Sequence, residues 1–429
     1  MINFEGEGQN SGPINEKTGG KNDIIVVGIG ASAGGIKALK ELFAKMPSDS
    51  GMAFVVILHL SQTHESNLAA ILQTQTEMPV EQVSETLKVE RNHVYVIPPG
   101  KHLEMIDGVI SLREPERIKG RRVPIDIFFR TLGENYGKNA VAIVLSGTGS
   151  DGSSGLKRVK EFGGVTIVQD PKEAEYDGMP LSAIGTGLID LVLNVEAIPE
   201  KLLKLRNSPA DFLIPRLETK NTFQEVNADS MHKILTLMRI RTGHDFANYK
   251  QATLLRRITR RLQVNEVEDL NRYLSILTES PDEVQALLRD FLISVTNFFR
   301  DAESFEALER NVIPQIFAGK TSKDEIRAWV VSCATGEEAY SIAILMQEYV
   351  EKNIDSPKIQ VFASDIDENA ILMAREGRYD ESITADVSPE RLNRFFIKEG
   401  NSYRLRKEIR ELVLFTSHNV LRDPPFSKL

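Results

Sequence analysis

Short apolar runs and helical stripes alternate through the first half of the chain. Residues 24–29 form an apolar run, small residues follow, and Ile36, Leu39, Leu42 and Phe43 then recur at spacings of three and four. That order predicts a strand, a tight turn and a helix. Further apolar runs at 53–58, 94–97, 140–145 and 165–168 alternate with helical segments, which predicts a largely parallel sheet covered on both faces. Residues 102–106 and 109–112 flank Asp107-Gly108 and read as a hairpin.

The pattern then changes. Pro209, Pro215 and weak periodicity mark a linker over 206–229, and residues 230–300 carry helical stripes without strand-like alternation. Apolar runs return at 326–331, 359–363 and 412–416, separated by helical segments. The expected fold class is therefore α/β. A doubly wound, mostly parallel domain covers 23–205, a small all-helical domain 230–300, and an incomplete Rossmann-like unit 301–429. Residues 1–22, polar and rich in Gly, Asn and Ser, read as a disordered leader.

Composition narrows the class. The 429 residues are 41% hydrophobic and 26% charged, enough apolar material for packed cores. A net charge of −9 argues against a chain-wide polyanion-binding surface, so no nucleic-acid partner is expected. Cys333 is the sole cysteine, so no intrachain disulfide can form and a reducing, cytoplasmic compartment is expected. No run approaches the roughly 18 apolar residues of a membrane span, and the N-terminus lacks the basic and apolar regions of a secretion signal. No metal site is expected.

The first chemical constellation lies at strand ends. Gly28, Gly30 and Ala33 fit the G-x-G-x-x-G/A spacing of dinucleotide sites, but the second strand ends in His59 where such sites place a ribose-binding acid. The same region reads better as a nucleophile site. Ser32 follows the first strand, His59 ends the second, and Asp151 sits in the glycine-rich turn S-G-T-G-S-D-G after a third. Ligands in open α/β sheets bind beyond the carboxyl ends of the strands, so the three can converge. Ser32 would attack, His59 take its proton, and Asp151 orient the imidazole. Taken singly, each residue also suits a helix cap, a strand edge or a turn.

Residues 23–205 resemble the bacterial chemotaxis protein-glutamate methylesterases. The resemblance rests on G-A-S-A-G-G, the strand ending in His59, V-Y-V-I-P-P-G, S-G-T-G-S-D-G and D-G-M-P-L-S-A-I. It implies that Ser32, His59 and Asp151 form the catalytic triad, that glutamate methyl esters on receptor signalling domains are the substrate, and that this half needs no cofactor. Ala33 and Thr148 stand where the family usually has Thr and Met, and the 22 leading residues are too few for the family's receiver domain.

The second constellation spans the helical domain and the last unit. T-L-L-R-R-I-T-R-R-L puts Leu254, Ile258 and Leu262 on one stripe and Arg256, Arg257, Arg260 and Arg261 largely on the other, a face suited to an acidic protein helix or to water. The strand at 326–331 runs into S-C-A-T-G-E-E-A-Y-S, and the next strand ends at Asp365, the position that binds ribose hydroxyls. With one glycine in the first turn, a phosphate cradle is not expected; a sulfonium cofactor needs none, and Glu337 could face its charge. Cys333 reads as a small buried residue.

Residues 225–429 resemble the chemotaxis receptor methyltransferases through S-V-T-N-F-F-R-D, C-A-T-G-E-E-A-Y-S and A-S-D-I-D-E-N-A-I. The resemblance implies that S-adenosylmethionine is the cofactor and that Thr296, Arg300, Glu337, Asp365 and Asn419 contact it, with Ser294 where the family often has Asn. It also implies that the four arginines dock acidic receptor helices. The family's C-R-N motif does not occur before Leu429, so this unit is expected to lack its last strands and to be inactive or unstable as it stands. The chain thus reads as an opposed esterase and methyltransferase pair acting on chemotaxis receptors. The alternatives are a noncatalytic signalling scaffold and, more remotely, an NAD-binding protein.

Overall fold

The computed structural model describes residues 24–58, 67–114, 123–207, 223–294, 296–353, 355–400, 402–427 and 429. In the first domain the strands are β1 (Val26–Ala31), β2 (Ala53–Leu58), β3 (Val80–Gln82), β4 (Leu87–Lys88), β5 (His93–Val96), β6 (His102–Ile106), β7 (Val109–Arg113), β8 (Ala140–Val144), β9 (Val165–Gln169) and β10 (Leu191–Leu193). Seven of them form one sheet in the order β10-β9-β8-β1-β2-β5-β3, with every pairing parallel. The expected hairpin is present as β6 and β7, joined antiparallel with β4 alongside.

The period-two geometry of β1 explains how the sheet is covered. Val27, Ile29 and Ala31 face one core with Leu39, Leu42 and Phe43 of the helix Gly35–Lys45. Val26 faces the other, built on Ile125, Phe128, Phe129 and Leu132 of the helix Pro124–Tyr136. A Cβ on Gly28 would lie 2.9 Å from Leu132, and one on Gly30 would lie 2.4 Å from Ile125. These glycines belong to the strand and let the helix lie directly on it. Their spacing imitates a phosphate loop, but their physical task is close packing.

The second domain packs Phe223–Thr242, Gln251–Val264, Leu270–Glu279 and Pro281–Phe291 around a core that includes Ile258, Leu262, Tyr273 and Leu287. Its helix starts follow local chemistry: Asp269 accepts from the N–H groups of Asn271 and Arg272, and Ser280, ahead of Pro281, accepts from that of Glu283. In the third domain β11 (Glu325–Val331), β12 (Lys358–Asp365) and β16 (Val413–Ser417) form a parallel sheet. Between the last two, β13 (Arg378–Asp380), β14 (Phe396–Glu399) and β15 (Ser402–Leu405) form an antiparallel one.

The arginine stripe is not a docking face in this arrangement. Leu254, Ile258 and Leu262 enter the helical core as expected, but Arg257, Arg260 and Arg261 are buried as well, and only Arg256 is exposed. The reason is the first domain, which covers that face. Lys160 and Asp190 of the first domain meet Arg260, Arg261 and Asp290 of the second, with Lys160 3.1 Å from Asp190 and 3.3 Å from Asp290. Arg257 donates to the Lys160 carbonyl at 2.5 Å, and Arg261 forks onto Glu283 at 2.8 and 2.5 Å. Tyr273 donates to the same Glu283 carboxylate at 2.7 Å. Lys160, Arg260 and Arg261 are thus matched by Asp190, Asp290 and Glu283, which is what burial of ions requires.

Burial alone would raise the Asp190 carboxyl, yet Arg260, Lys160 and Arg261 together hold it below the usual carboxylate range. Its stabilising contribution is therefore present above the unfolded value of about 3.9 and is lost as pH falls through the lower folded value. Asp190→Asn strands the buried cations and should lower unfolding free energy by about 3–5 kcal/mol near neutrality. Denaturant unfolding of the full chain checks this, and an unchanged midpoint would contradict it.

Candidate active site

Strand order reverses between β1 and β8, and Ser32 sits at that point, half-buried, one residue beyond β1. Its N–H donates to the Ser146 carbonyl at 3.0 Å, and its own carbonyl accepts from Gly35 as the helix begins. Gly34 at the helix start has φ 73°, which favours glycine. The facing turn is equally tied down. The Ser146 hydroxyl donates to the Ala33 carbonyl at 2.9 Å and accepts the Tyr176 N–H at 3.0 Å. A Cβ on Gly147 would lie 3.0 Å from Ser32 Cβ and 2.1 Å from Met179 Sδ. Only glycine lets these segments meet.

Asp151 closes the same turn. Its Oδ1 accepts the Asp126 N–H at 3.0 Å and its Oδ2 accepts the Ile125 N–H at 3.2 Å. Pro124 opens that helix and has no N–H to satisfy, so the carboxylate takes the first two donors available. Asp151 is therefore a structural cap whatever else it does, with lone pairs left for a further donor. Burial and the neighbouring Asp126 push its carboxyl well above the usual range. Ser32 and Asp151 stand at the rims of one turn; His59 lies outside the described residues.

The third domain carries its own strand-end site. Cys333 N–H donates to the Ser364 carbonyl at 3.0 Å. The Asp365 carboxylate, at the end of β12, accepts from Ala334 at 2.8 Å and from Asp367 at 2.9 Å. Ser332 and Ala334 have φ 56° and 50°, so the turn holds two non-glycine residues in a sparsely populated conformation, a feature concentrated at functional sites. Gly336 has φ 94°, and a Cβ there would come within 2.9 Å of Ala374. Glu337 is buried at the helix start; Thr335 donates to its carboxylate at 2.6 Å, and burial raises it while Lys157 of the first domain pulls the other way. A buried acid in that first turn repels phosphate and suits a cation.

The remaining expected contacts are placed less closely. Ser294, Thr296 and Arg300 are half-buried on the approach to the third domain, with Arg300 3.7 Å from Glu161. Asn419 lies in the turn after β16, its side-chain oxygen accepting from Leu421 at 3.0 Å. Cys333 is buried, and desolvation with Asp365 nearby pushes its thiol up to about 12, which makes it inert. The donor set fits an adenosyl sulfonium group: each Asp365 oxygen keeps lone-pair capacity for ribose hydroxyls, and Glu337 offers a negative charge.

Three residues beside these turns do not stand out in the sequence: Ser146, Lys157 and Asp126. The last had a signal, since Asp126 is an acid on the helix face that carries Ile125, Phe129 and Leu132. Its Oδ1 accepts from Gly155 at 2.6 Å, its Oδ2 has no hydrogen-bond partner among the described residues, and burial pushes it up to about 7.

By fold the chain joins a doubly wound α/β domain, a helical domain and a second, smaller α/β domain. The CheB methylesterase model matches residues 27–202, the all-alpha CheR domain model 229–292 and the CheR methyltransferase SAM-binding domain model 294–429. A Leptospira interrogans protein called "Putative protein-glutamate methylesterase/protein-glutamine glutaminase" is 36% identical over 184 residues, 43% of this chain and 94% of its own length. An "Uncharacterized 104.1 kDa protein in hypE 3'region" of Rhodobacter capsulatus is 37% identical over 386 residues, 84% of this chain; the chain spans only 40% of that relative. The Thermotoga maritima CheB methylesterase catalytic domain is 31% identical over 42% of this chain and 98% of that structure, with a TM-score of 0.41. The chain belongs to the CheB methylesterase family through its first domain, fused to CheR methyltransferase domains. Among the described residues no helix is long and apolar enough to cross a membrane.

The buried carboxyl pair gives a test with a defined sign. Both groups are raised in the folded chain, so the folded state binds more protons than the unfolded one and stability falls as pH rises from about 4 to 7. Asp126→Asn removes one titrating group and its repulsion of Asp151. Its stability relative to the parent chain should rise between pH 4.5 and 7.5 in denaturant titrations; a pH-independent difference would contradict the pairing.

Proposed function

We propose that the chain removes and installs methyl esters on glutamate side chains of chemotaxis receptors. The observation that carries the esterase reading is the meeting of Ser32 with the Gly147 turn at the reversal of strand order, with Asp151 held at the turn's far rim. Ser32 Oγ attacks the ester carbonyl and His59 takes its proton. The tetrahedral adduct collapses, methanol leaves with that proton, and water releases the glutamyl group by the reverse sequence. Asp151 keeps the imidazole oriented and stabilises its charged form. The Arg130 charge one turn along from Asp126 pulls that carboxyl down against its burial.

In the second half S-adenosylmethionine supplies an electrophilic methyl group. Asp365 holds the ribose hydroxyls, Glu337 faces the positive charge, and Thr296, Arg300 and Asn419 complete the contacts. Receptor signalling domains are the partners, which places the protein in the cytoplasm. With Arg257, Arg260 and Arg261 buried, docking of a receptor helix on that face requires the first domain to move or leaves Arg256 alone to contribute.

Two measurements on the full chain test the reading. Methanol release from methylated receptor signalling domain should fall by roughly a thousandfold or more in Ser32→Ala; equal release from both would rule out the triad. Calorimetry should show S-adenosylhomocysteine binding weakened about tenfold or more by Asp365→Ala, the loss of ~1.4 kcal/mol of contact, and equal affinity would rule out the ribose role.

A further inference from the structure

The third domain reaches the esterase turn directly. Ser150, the residue before Asp151, donates its hydroxyl to Asp380 Oδ2 at 2.5 Å. Arg130 forks onto both oxygens of Asp386 at 2.9 and 3.1 Å, and Asn297 donates to the same carboxylate at 3.1 Å. Arg130 stands one helical turn beyond Asp126, whose N–H holds Asp151. Segment 378–386 therefore grips both the glycine turn and the helix start that fix the esterase's acid.

The same segment grips the adenosyl turn. Tyr379 donates its hydroxyl to the Thr335 carbonyl at 2.8 Å, and its ring packs edge-on to Phe298 at 4.9 Å. Thr335 in turn donates to Glu337. Tyr379 and Asp380 are successive residues of β13, and successive strand side chains point to opposite faces. One therefore faces the adenosyl turn and the other the esterase. Two residues span the distance between the turn at 334–337 and the turn at 146–152. A second contact supports the alignment: Arg300 lies 3.7 Å from Glu161, on the esterase helix Ser153–Glu161.

We propose that Asp380 and Asp386 are positioning residues of the esterase, and that through Tyr379 a ligand in the adenosyl turn alters the rate of ester hydrolysis. The proposal rests on the triad and adenosyl readings above. A ligand that contacts Thr335 or Glu337 shifts the turn to which Tyr379 is bonded, β13 carries the shift, and Asp380 releases or tightens the Ser150–Asp151 corner. If the coupling runs through this corner, a change at Ser150 alters affinity for the adenosyl ligand.

The test uses the full chain, a peptide glutamate γ-methyl ester as substrate and S-adenosylhomocysteine as probe. Saturating probe should change kcat of the parent chain by about fivefold or more with little change in KM. The Asp380→Ala/Asp386→Ala double variant should lose that response, whereas Asp380→Asn, which keeps an acceptor for Ser150, should retain it. Independently of activity, Ser150→Ala should shift the calorimetric Kd of the probe by about threefold or more. A double variant that responds like the parent overturns the proposal. So does a Ser150→Ala chain with the parent Kd, or a parent whose rate ignores a probe that binds. Failure of the underlying readings shows separately: absence of probe binding removes the adenosyl site, and undiminished hydrolysis by Ser32→Ala removes the triad, each taking the coupling with it.

Discussion

The contact between the glycine face of β1 and the helix Pro124–Tyr136 sets the geometry of the first domain's site. Because Gly30 has no side chain, Ile125 can occupy the place a Cβ would take. That brings the start of the helix level with the end of the strand. Three consequences follow from this one approach. Ser32 emerges beside the turn after β8, the N–H groups of Ile125 and Asp126 at the helix start are aimed at Asp151, and Arg130 is presented on the outer side of the helix to Asp386. Filling Gly30 with a methyl group would disturb all three, at a cost of about 1–3 kcal/mol for overpacking.

Electrostatics joins the domains in two different ways. Toward the helical domain, Lys160 and Asp190 enter a buried cluster in which each charge has a partner, so separation would expose or strand several ions at once. Toward the third domain the contacts among the described residues are an arginine fork, a hydroxyl on a carboxylate and a distant ion pair, and they are less buried. The first joint is suited to hold and the second to yield. This asymmetry places the helical domain with the esterase, although its family relation is to the methyltransferase.

Much of this was legible in the chain itself. Apolar runs located β1, β2, β5, β8 and β9, the β6–β7 hairpin, and β11, β12 and β16, but not the short strands β3, β4 and β10 or the antiparallel β13–β15; Ser32, Asp151, Glu337 and Asp365 stand out in the sequence because strand-to-helix turns leave a strong local record. The Gly28 and Gly30 spacing was ambiguous for a physical reason: close helix packing and phosphate approach make the same demand for a missing side chain. The arginine stripe misled for another. Periodicity shows which face of a helix is polar, but not that Asp190, 70 residues earlier, covers that face and supplies its counter-charge. Contacts such as Arg130 with Asp386, 256 positions apart, leave no local trace.

The esterase proposal stands on Ser32 as a nucleophile placed by the reversal of strand order. The most direct measurement is mass spectrometry of the full chain after reaction with a glutamyl phosphonate ester, which traps serine nucleophiles as a stable adduct. One covalent adduct is expected, on the peptide containing Ser32 and absent from Ser32→Ala. An adduct on another residue, or a chain left unmodified while it still releases methanol, would contradict it.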